Sequence, residues 1–219
     1  ALEIELPEIG SPILPAIWRP INTMTISYGH GIAVSPLQLI SGVSSLVNGG
    51  IKRSPTLIKV SGKLPLGKNI LLKKTSEKVR RLMRLVVSNG TGRKAEVPGY
   101  LLGGKTGTAD KLKGTKYSRS AKMSSFVGVF PINRPRYAIL VIVDEPKGNK
   151  STHNFATGGW VAAPVVGRIV KKMGPIIGIA PDLKATFKTP EINKNYQGVQ
   201  DGKKSQRLIK KVTLTIKKN

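Results

Sequence analysis

The chain contains no cysteine, which excludes disulfides and thiolate metal sites. Aromatic residues make up only 5% of it, too few for the interleaved stacking platform of a single-strand nucleic-acid binder. No run of about eighteen or more apolar residues occurs, so no segment reads as a membrane-spanning helix. The sequence opens on Ala1-Leu2-Glu3 without a signal-peptide pattern, and any membrane anchor is expected to lie outside it. Acids are the other shortage: 11 Asp plus Glu stand against 37 Lys plus Arg, a formal net charge of +26. Such a chain attracts anionic lipid headgroups, an anionic wall polymer or nucleic acid. The bases are spread through every segment and stacking residues are few, so nucleic acid is the poorest match of the three. His30 sits between glycines and His153 in a polar stretch, with few acids nearby, and no metal site or cofactor is expected.

What is present centres on Gly103-Gly104-Lys105-Thr106-Gly107-Thr108-Ala109. In an extended strand Lys105 and Gly107 point to one face, and Thr106 and Thr108 to the other. Two aligned hydroxyls, backbone N–H groups and one ammonium could hold a carboxylate along such a strand. Gly107 marks a place where a ligand or another backbone approaches closely. The same residues also fit a phosphate-loop pattern, Gly99-x-x-x-x-Gly104-Lys105-Thr106, with Asp144-Glu145 as magnesium-holding acids at the end of an apolar run. A phosphate loop must open a helix, whereas Gly107, Gly114 and a single large apolar residue, Leu112, follow here. The link Pro131-Ile-Asn-Arg-Pro135 is of hairpin length, so the neighbouring strands read as antiparallel, and a nucleotide fold would need a long crossover. Asp144-Glu145 is then expected to end a strand in solvent.

The whole reads as α+β, an antiparallel sheet with helices packed on it. Residues 1–22, with Pro7, Pro12, Pro15 and Pro20, predict an irregular surface segment. Ser35 as N-cap, Pro36 at the first helical position and Gly49 past the end delimit a helix. Its stripe Leu37, Ile40, Val43, Val47 and its second stripe Leu39, Leu46 predict burial on most sides. Residues 51–60 read as a short strand pair interrupted by Pro55. A helix is expected after Thr75, with Val79, Leu82, Met83, Val86 and Val87 at helical spacing, Arg80, Arg81 and Arg84 on a wet face, and Asn89-Gly90 at its end. Strands over 100–109, 124–130 and 136–143 follow, and then an apolar helix over 159–173. From 181 onward Lys, Thr, Asn and Gln take over, which predicts a folded domain over 1–180 and a basic, disordered tail over 181–219. The tail's alternating run Val212-Thr-Leu-Thr-Ile216 could pair as a strand.

Lys105-Thr106-Gly107 does not stand alone. With Ser27-Tyr-Gly-His-Gly-Ile-Ala-Val-Ser-Pro-Leu-Gln-Leu39, Val47-Asn-Gly-Gly50, Ser125-Phe-Val-Gly128, Asp144-Glu-Pro146 and Gly158-Gly-Trp-Val-Ala-Ala-Pro164, in that order, the chain resembles the transpeptidase domain of class B penicillin-binding proteins. These are division-type peptidoglycan synthases that share K-T-G with β-lactamases, and the resemblance covers roughly residues 1–180. It implies the fold of that domain without its N-terminal half. It also implies acyl transfer with no metal or cofactor: a serine attacks the D-Ala–D-Ala bond, D-alanine leaves, and the amine of a neighbouring stem peptide takes the acyl group. Lys105 would then stabilise the anionic end of the substrate and tune the catalytic hydroxyls. Thr106 and Thr108 would bind the carboxylate of a terminal D-alanine or a β-lactam, Gly107 would let that ligand lie close, and the Thr108 N–H would be one of two oxyanion-hole donors.

The sequence departs from that pattern where S-x-x-K and S-x-N belong. Thr56-x-x-Lys59, Thr75-x-x-Lys78 and Thr91-x-x-Lys94 have the spacing without the serine, and Thr152-His153-Asn154 follows K-T-G instead of preceding it. The expectation is therefore part of a transpeptidase, unable on its own to react with penicillin. The resemblance implies as partners the peptidoglycan stem peptide, β-lactams, the absent half of the domain and cell-wall or division proteins, and no nucleic acid. It implies a place in the periplasm or at the outer face of the bacterial inner membrane.

Overall fold

The computed structural model describes residues 2, 4–62, 65–113 and 116–190. Along the chain these form helix α1 (Pro20–Ile26), helix α2 (Pro36–Val47), the two-residue strands β1 (Ile51–Lys52) and β2 (Lys68–Asn69), and helix α3 (Lys73–Ser88). Strands β3 (Gly103–Lys113), β4 (Lys116–Phe130) and β5 (Tyr137–Asp144) come next, followed by helices α4 (Gly158–Val161) and α5 (Ala163–Ile176).

The expected antiparallel sheet is present, in the order β3-β4-β5, and the hairpin between β4 and β5 pairs Val129 with Ala138. Strand alternation in β4 decides the two faces. Phe126, Gly128 and Phe130 look toward α5, where Phe126 and Phe130 are buried with Val166 and Val170, and Gly128 leaves room for Val166. Val129, on the opposite face, is buried with Val47 of α2, Met83 of α3, Leu101 and Ile132. Each fully covered side chain of this size contributes about 1.5–3 kcal/mol of transfer free energy. The sheet is thus covered by α5 on one side and by α2 with α3 on the other. That layered α+β arrangement is the one the sequence predicts.

Several local readings are corrected. The proline-rich start is not irregular to residue 22: Pro20 occupies the first turn of α1, where its missing N–H costs nothing, and the Asn22 side chain accepts the Arg19 N–H at 2.8 Å. Ser35 caps α2 as expected, and Gln38 completes a capping box with it, but the helix is buried along one stripe only, and Leu39 and Leu46 are exposed. β1 pairs with β2, not with a neighbour inside 51–60, because Ser54-Pro55 cannot continue a ladder and the chain returns only at Lys68. α3 starts at Lys73, two residues before Thr75, and ends at Asn89 as expected. β4 begins at Lys116, well before Ser124, and extends a long hairpin with β3. The apolar helix expected over 159–173 is broken into α4 and α5, since Pro164 in the first turn of α5 has no N–H to carry a continuous ladder.

The arginines of α3 are not a wet face. Arg80 donates to the Asn133 carbonyl at 2.7 Å and lies over the Phe187 ring, and Arg84 reaches Glu96 and the Leu102 carbonyl. Only Arg81, paired with Glu77 one turn away, stays on the surface. Residues Ala1–Thr189 form the first of two units along the chain. Within the first, the Asp182 N–H donates to the Gly99 carbonyl, and Ala185 and Phe187 pack on the Val129 cluster, beyond the boundary drawn at 180 from composition. The remainder of the basic tail, with the strand candidate at 212–216, lies outside the described residues.

Candidate functional site

β3 is the edge strand of its sheet, so one side of its backbone is unpaired among the described residues. Its register places Thr106 opposite Phe126 and Thr108 opposite Ser124, which puts both threonines on the α4 and α5 face. Lys105 and Gly107 take the other face, as the alternation predicts. The Lys105 ammonium is exposed and donates to the Thr106 carbonyl at 2.7 Å. In a strand the C=O and N–H of one residue leave on the same side, and residues two apart share that side. The Thr106 carbonyl and the Thr108 N–H therefore leave the strand on the same side.

The two hydroxyls have different neighbours. Thr106 Oγ1 lies 2.9 Å from Thr91 Oγ1, and Thr108 Oγ1 accepts the Gly158 N–H at 3.1 Å. Both line a cavity of about 360 Å³ together with Thr91, Arg93, Lys94 and Trp160, and none of the described residues lining it is an acid. Trp160 forms one wall. Lys94 Nζ sits 3.9 Å from the centre of its ring, Phe155 stacks on it, and His153 meets it edge-on.

Three devices place these groups. Arg84 donates to the Leu102 carbonyl at 2.8 Å, just before β3 begins, and is held by both oxygens of Glu96 at 2.7 and 3.2 Å. Ser124, fully buried, donates to the Ala156 carbonyl at 2.5 Å and fastens the approach to α4 onto the sheet. Gly158 lets α4 come this near, since a Cβ there would run into the Ser125 carbonyl. None of the three was legible as a site residue. Arg84 looked like part of a solvated cluster, and a serine inside a strand carries no signal that its hydroxyl will tie down a distant loop.

Gly107 has a structural cause as well: a methyl group there would lie 2.5 Å from Ser125 Oγ on the neighbouring strand. The phosphate-loop reading fails, because Thr106 sits inside β3, which runs on to Lys113 instead of opening a helix. Asp144 and Glu145 do not simply end a strand in solvent. Lys111 Nζ lies 2.9 Å from Asp144 and 3.0 Å from Glu145. Its hydrogen bond to Asp144, and then that to Glu145, hold the ammonium above the usual lysine range. Among the described residues no group of three or more His, Asp or Glu comes together in a way that could hold a metal ion.

The penicillin-binding protein transpeptidase domain matches residues 2–171 of this sequence. The chain belongs to that family. A probable peptidoglycan D,D-transpeptidase FtsI of Caulobacter vibrioides is 39% identical over 187 residues, 81% of this chain and 32% of that protein. The transpeptidase domain of penicillin-binding protein 3 from Burkholderia pseudomallei superposes with a TM-score of 0.74 at 34% identity, covering 83% of this chain and 54% of that one. Penicillin-binding protein 3 of Mycobacterium tuberculosis, solved with ampicillin, gives a TM-score of 0.70 at 25% identity, covering 83% of this chain and 46% of that one. This chain therefore spans about a third of the Caulobacter relative and about half of each solved chain. Among the described residues no helix is long and apolar enough to cross a membrane.

Proposed function

We propose that this chain is the carboxylate-holding part of a serine D,D-transpeptidase that cross-links the stem peptides of peptidoglycan. The observation that carries the reading is the pair Thr106 and Thr108, hydroxyls on one face of an edge strand above a cavity with Arg93 and Lys94 in its wall. A terminal D-alanine carboxylate accepts from both hydroxyls while the substrate backbone runs along β3. The scissile carbonyl then lies at the open edge, where the Thr108 N–H stabilises the oxyanion as a serine attacks. Lys105, exposed on the opposite face of the same strand, supplies positive field to the serine and its base. A β-lactam presents the same carboxylate beside a reactive carbonyl, and the ampicillin-bound relative supports this part of the reading.

The serine and its activating lysine come from the rest of the domain, which this sequence does not include. Two facts support that division of labour: no S-x-x-K occurs in the sequence, and the solved relatives are about twice as long as the part matched. The remainder of the domain docks on the apolar face formed by Ile13, Leu14, Ile17 and Trp18, all more than half exposed, and on Leu39 and Leu46 of α2. The assembled enzyme works in the periplasm or at the outer face of the inner membrane, held by an anchor outside this chain, where basic surface meets anionic lipid or wall polymer.

Two measurements on the 219-residue chain test this. Fluorescent penicillin followed by denaturing electrophoresis is expected to leave the chain unlabelled, and a covalent adduct would refute the absence of a nucleophile. Equilibrium dialysis with N-acetyl-D-Ala-D-Ala is expected to show binding that Thr106→Val weakens. No binding, or binding indifferent to Thr106 and Thr108, would overturn the site.

A further inference from the structure

We infer that Thr91 is a positioning residue: by donating to Thr106 Oγ1 when an anion is bound, it strengthens the hydrogen bond that Thr106 makes into the cavity and favours a carboxylate over a neutral ligand. The inference rests on the carboxylate reading of Thr106 and Thr108.

A threonine hydroxyl has one proton to donate and two lone pairs to accept with. At Thr108 the polarity is settled by covalent chemistry. A backbone N–H can only donate, so Thr108 Oγ1 is an acceptor toward Gly158, and its own proton is left for the cavity. At Thr106 the partner is another hydroxyl, and the 2.9 Å contact with Thr91 serves equally well in either direction. If Thr106 donates to Thr91, it has only lone pairs to offer a ligand and repels a carboxylate. If Thr91 donates to Thr106, both strand hydroxyls present protons to the same cavity. A bound carboxylate has no proton to give, so it selects the second arrangement, in which each hydrogen bond polarises and strengthens the next. A neutral carboxamide carries donors and acceptors and is served by either arrangement. Thr91 comes from the turn after α3, not from β3. The polarity of the site thus depends on how that turn is docked against the strand.

The test compares N-acetyl-D-Ala-D-Ala with its C-terminal carboxamide by equilibrium dialysis on the full chain. The unaltered protein is expected to prefer the carboxylate. Thr91→Val keeps the shape and removes the hydroxyl. It is expected to lower that preference about three- to ten-fold through weaker carboxylate binding, with carboxamide binding unchanged. Thr91→Ser restores the hydroxyl and is expected to restore the preference, which a merely structural role of Thr91 would not produce. Hydrogen exchange across β3 is expected to be the same in all three proteins, because Thr91 is exposed and supports no core. If Thr91→Val leaves the preference intact while Thr106→Val abolishes it, the role of Thr91 is refuted and the site stands. If Thr106→Val is also without effect, or the unaltered chain shows no preference, the carboxylate site fails and this inference fails with it.

Discussion

Arg84→Met is the substitution with the widest reach for its distance from the cavity. Arg84 bridges α3 to the start of β3 through the Leu102 carbonyl, with its guanidinium held by Glu96. The Arg84 side chain is 14% exposed and that of Glu96 35%. Glu96 can therefore recover water when the pair is broken, and the ion pair itself contributes the smaller share. The Leu102 carbonyl belongs to a fully buried residue and cannot easily rehydrate. Losing a charge-assisted hydrogen bond to such a group costs about 1.5–3 kcal/mol. Methionine keeps most of the aliphatic bulk, so little packing is lost. Because about 1.4 kcal/mol is a factor of ten, amide exchange in the first half of β3 should accelerate about ten- to hundred-fold. Hydrogen exchange read by mass spectrometry on peptides covering 99–110 measures this. Glu96→Gln leaves the bond to Leu102 in place and should cost less than half as much. A change under about three-fold in Arg84→Met, or equal effects of the two substitutions, would show that Arg84 does not hold the strand.

Ser124→Ala should release the Ala156 carbonyl and loosen α4, at a cost of about 1–3 kcal/mol. In a Trp18→Phe background, Trp160 emission should shift to the red, and an unchanged spectrum would count against the tie. Gly107→Ala should push the Ser125 hydroxyl aside at a cost of no more than about 1 kcal/mol, and Ser125→Gly in the same chain should remove that cost. Failure of that rescue, read by the same exchange experiment, would point away from Ser125 as the cause. The hydrogen bond from Arg81, and then its charge, hold the Glu77 carboxyl below the usual glutamate range. A group with a lowered folded-state pKa adds stability above its ordinary pKa and loses it as the pH falls through the lowered value. Carbon NMR should place the Glu77 midpoint below that of a free glutamate, and Arg81→Gln should raise it.

Reading along the chain was enough wherever the cause is local. Ser35 and Pro36 specify the start of α2 because capping and proline geometry involve residues within one turn. The threonines of β3 share a face because strand alternation is a property of the backbone, and the short Pro131–Pro135 link allows only an antiparallel neighbour. The extreme basic charge and the absence of a serine three residues before a lysine are likewise facts of composition and spacing. These determined the layer architecture, the face of the strand that bears Thr106 and Thr108, and the absence of an S-x-x-K motif from this sequence.

Reading failed where the partner lies far along the chain. Arg84 meets Leu102, Ser124 meets Ala156, and Thr108 meets Gly158, separations of 18, 32 and 50 residues. A hydrogen bond between groups so distant exists only after packing has brought them together, and no periodicity records it. The same holds for burial on α2: its second apolar stripe looks like core in sequence, yet a helix face is buried only by what packs against it. Tertiary structure alone decided that Thr91 stands beside Thr106, that Gly107 faces the Ser125 hydroxyl, and that the acids at the end of β5 hold Lys111. Each is a contact between surfaces that meet only in the fold.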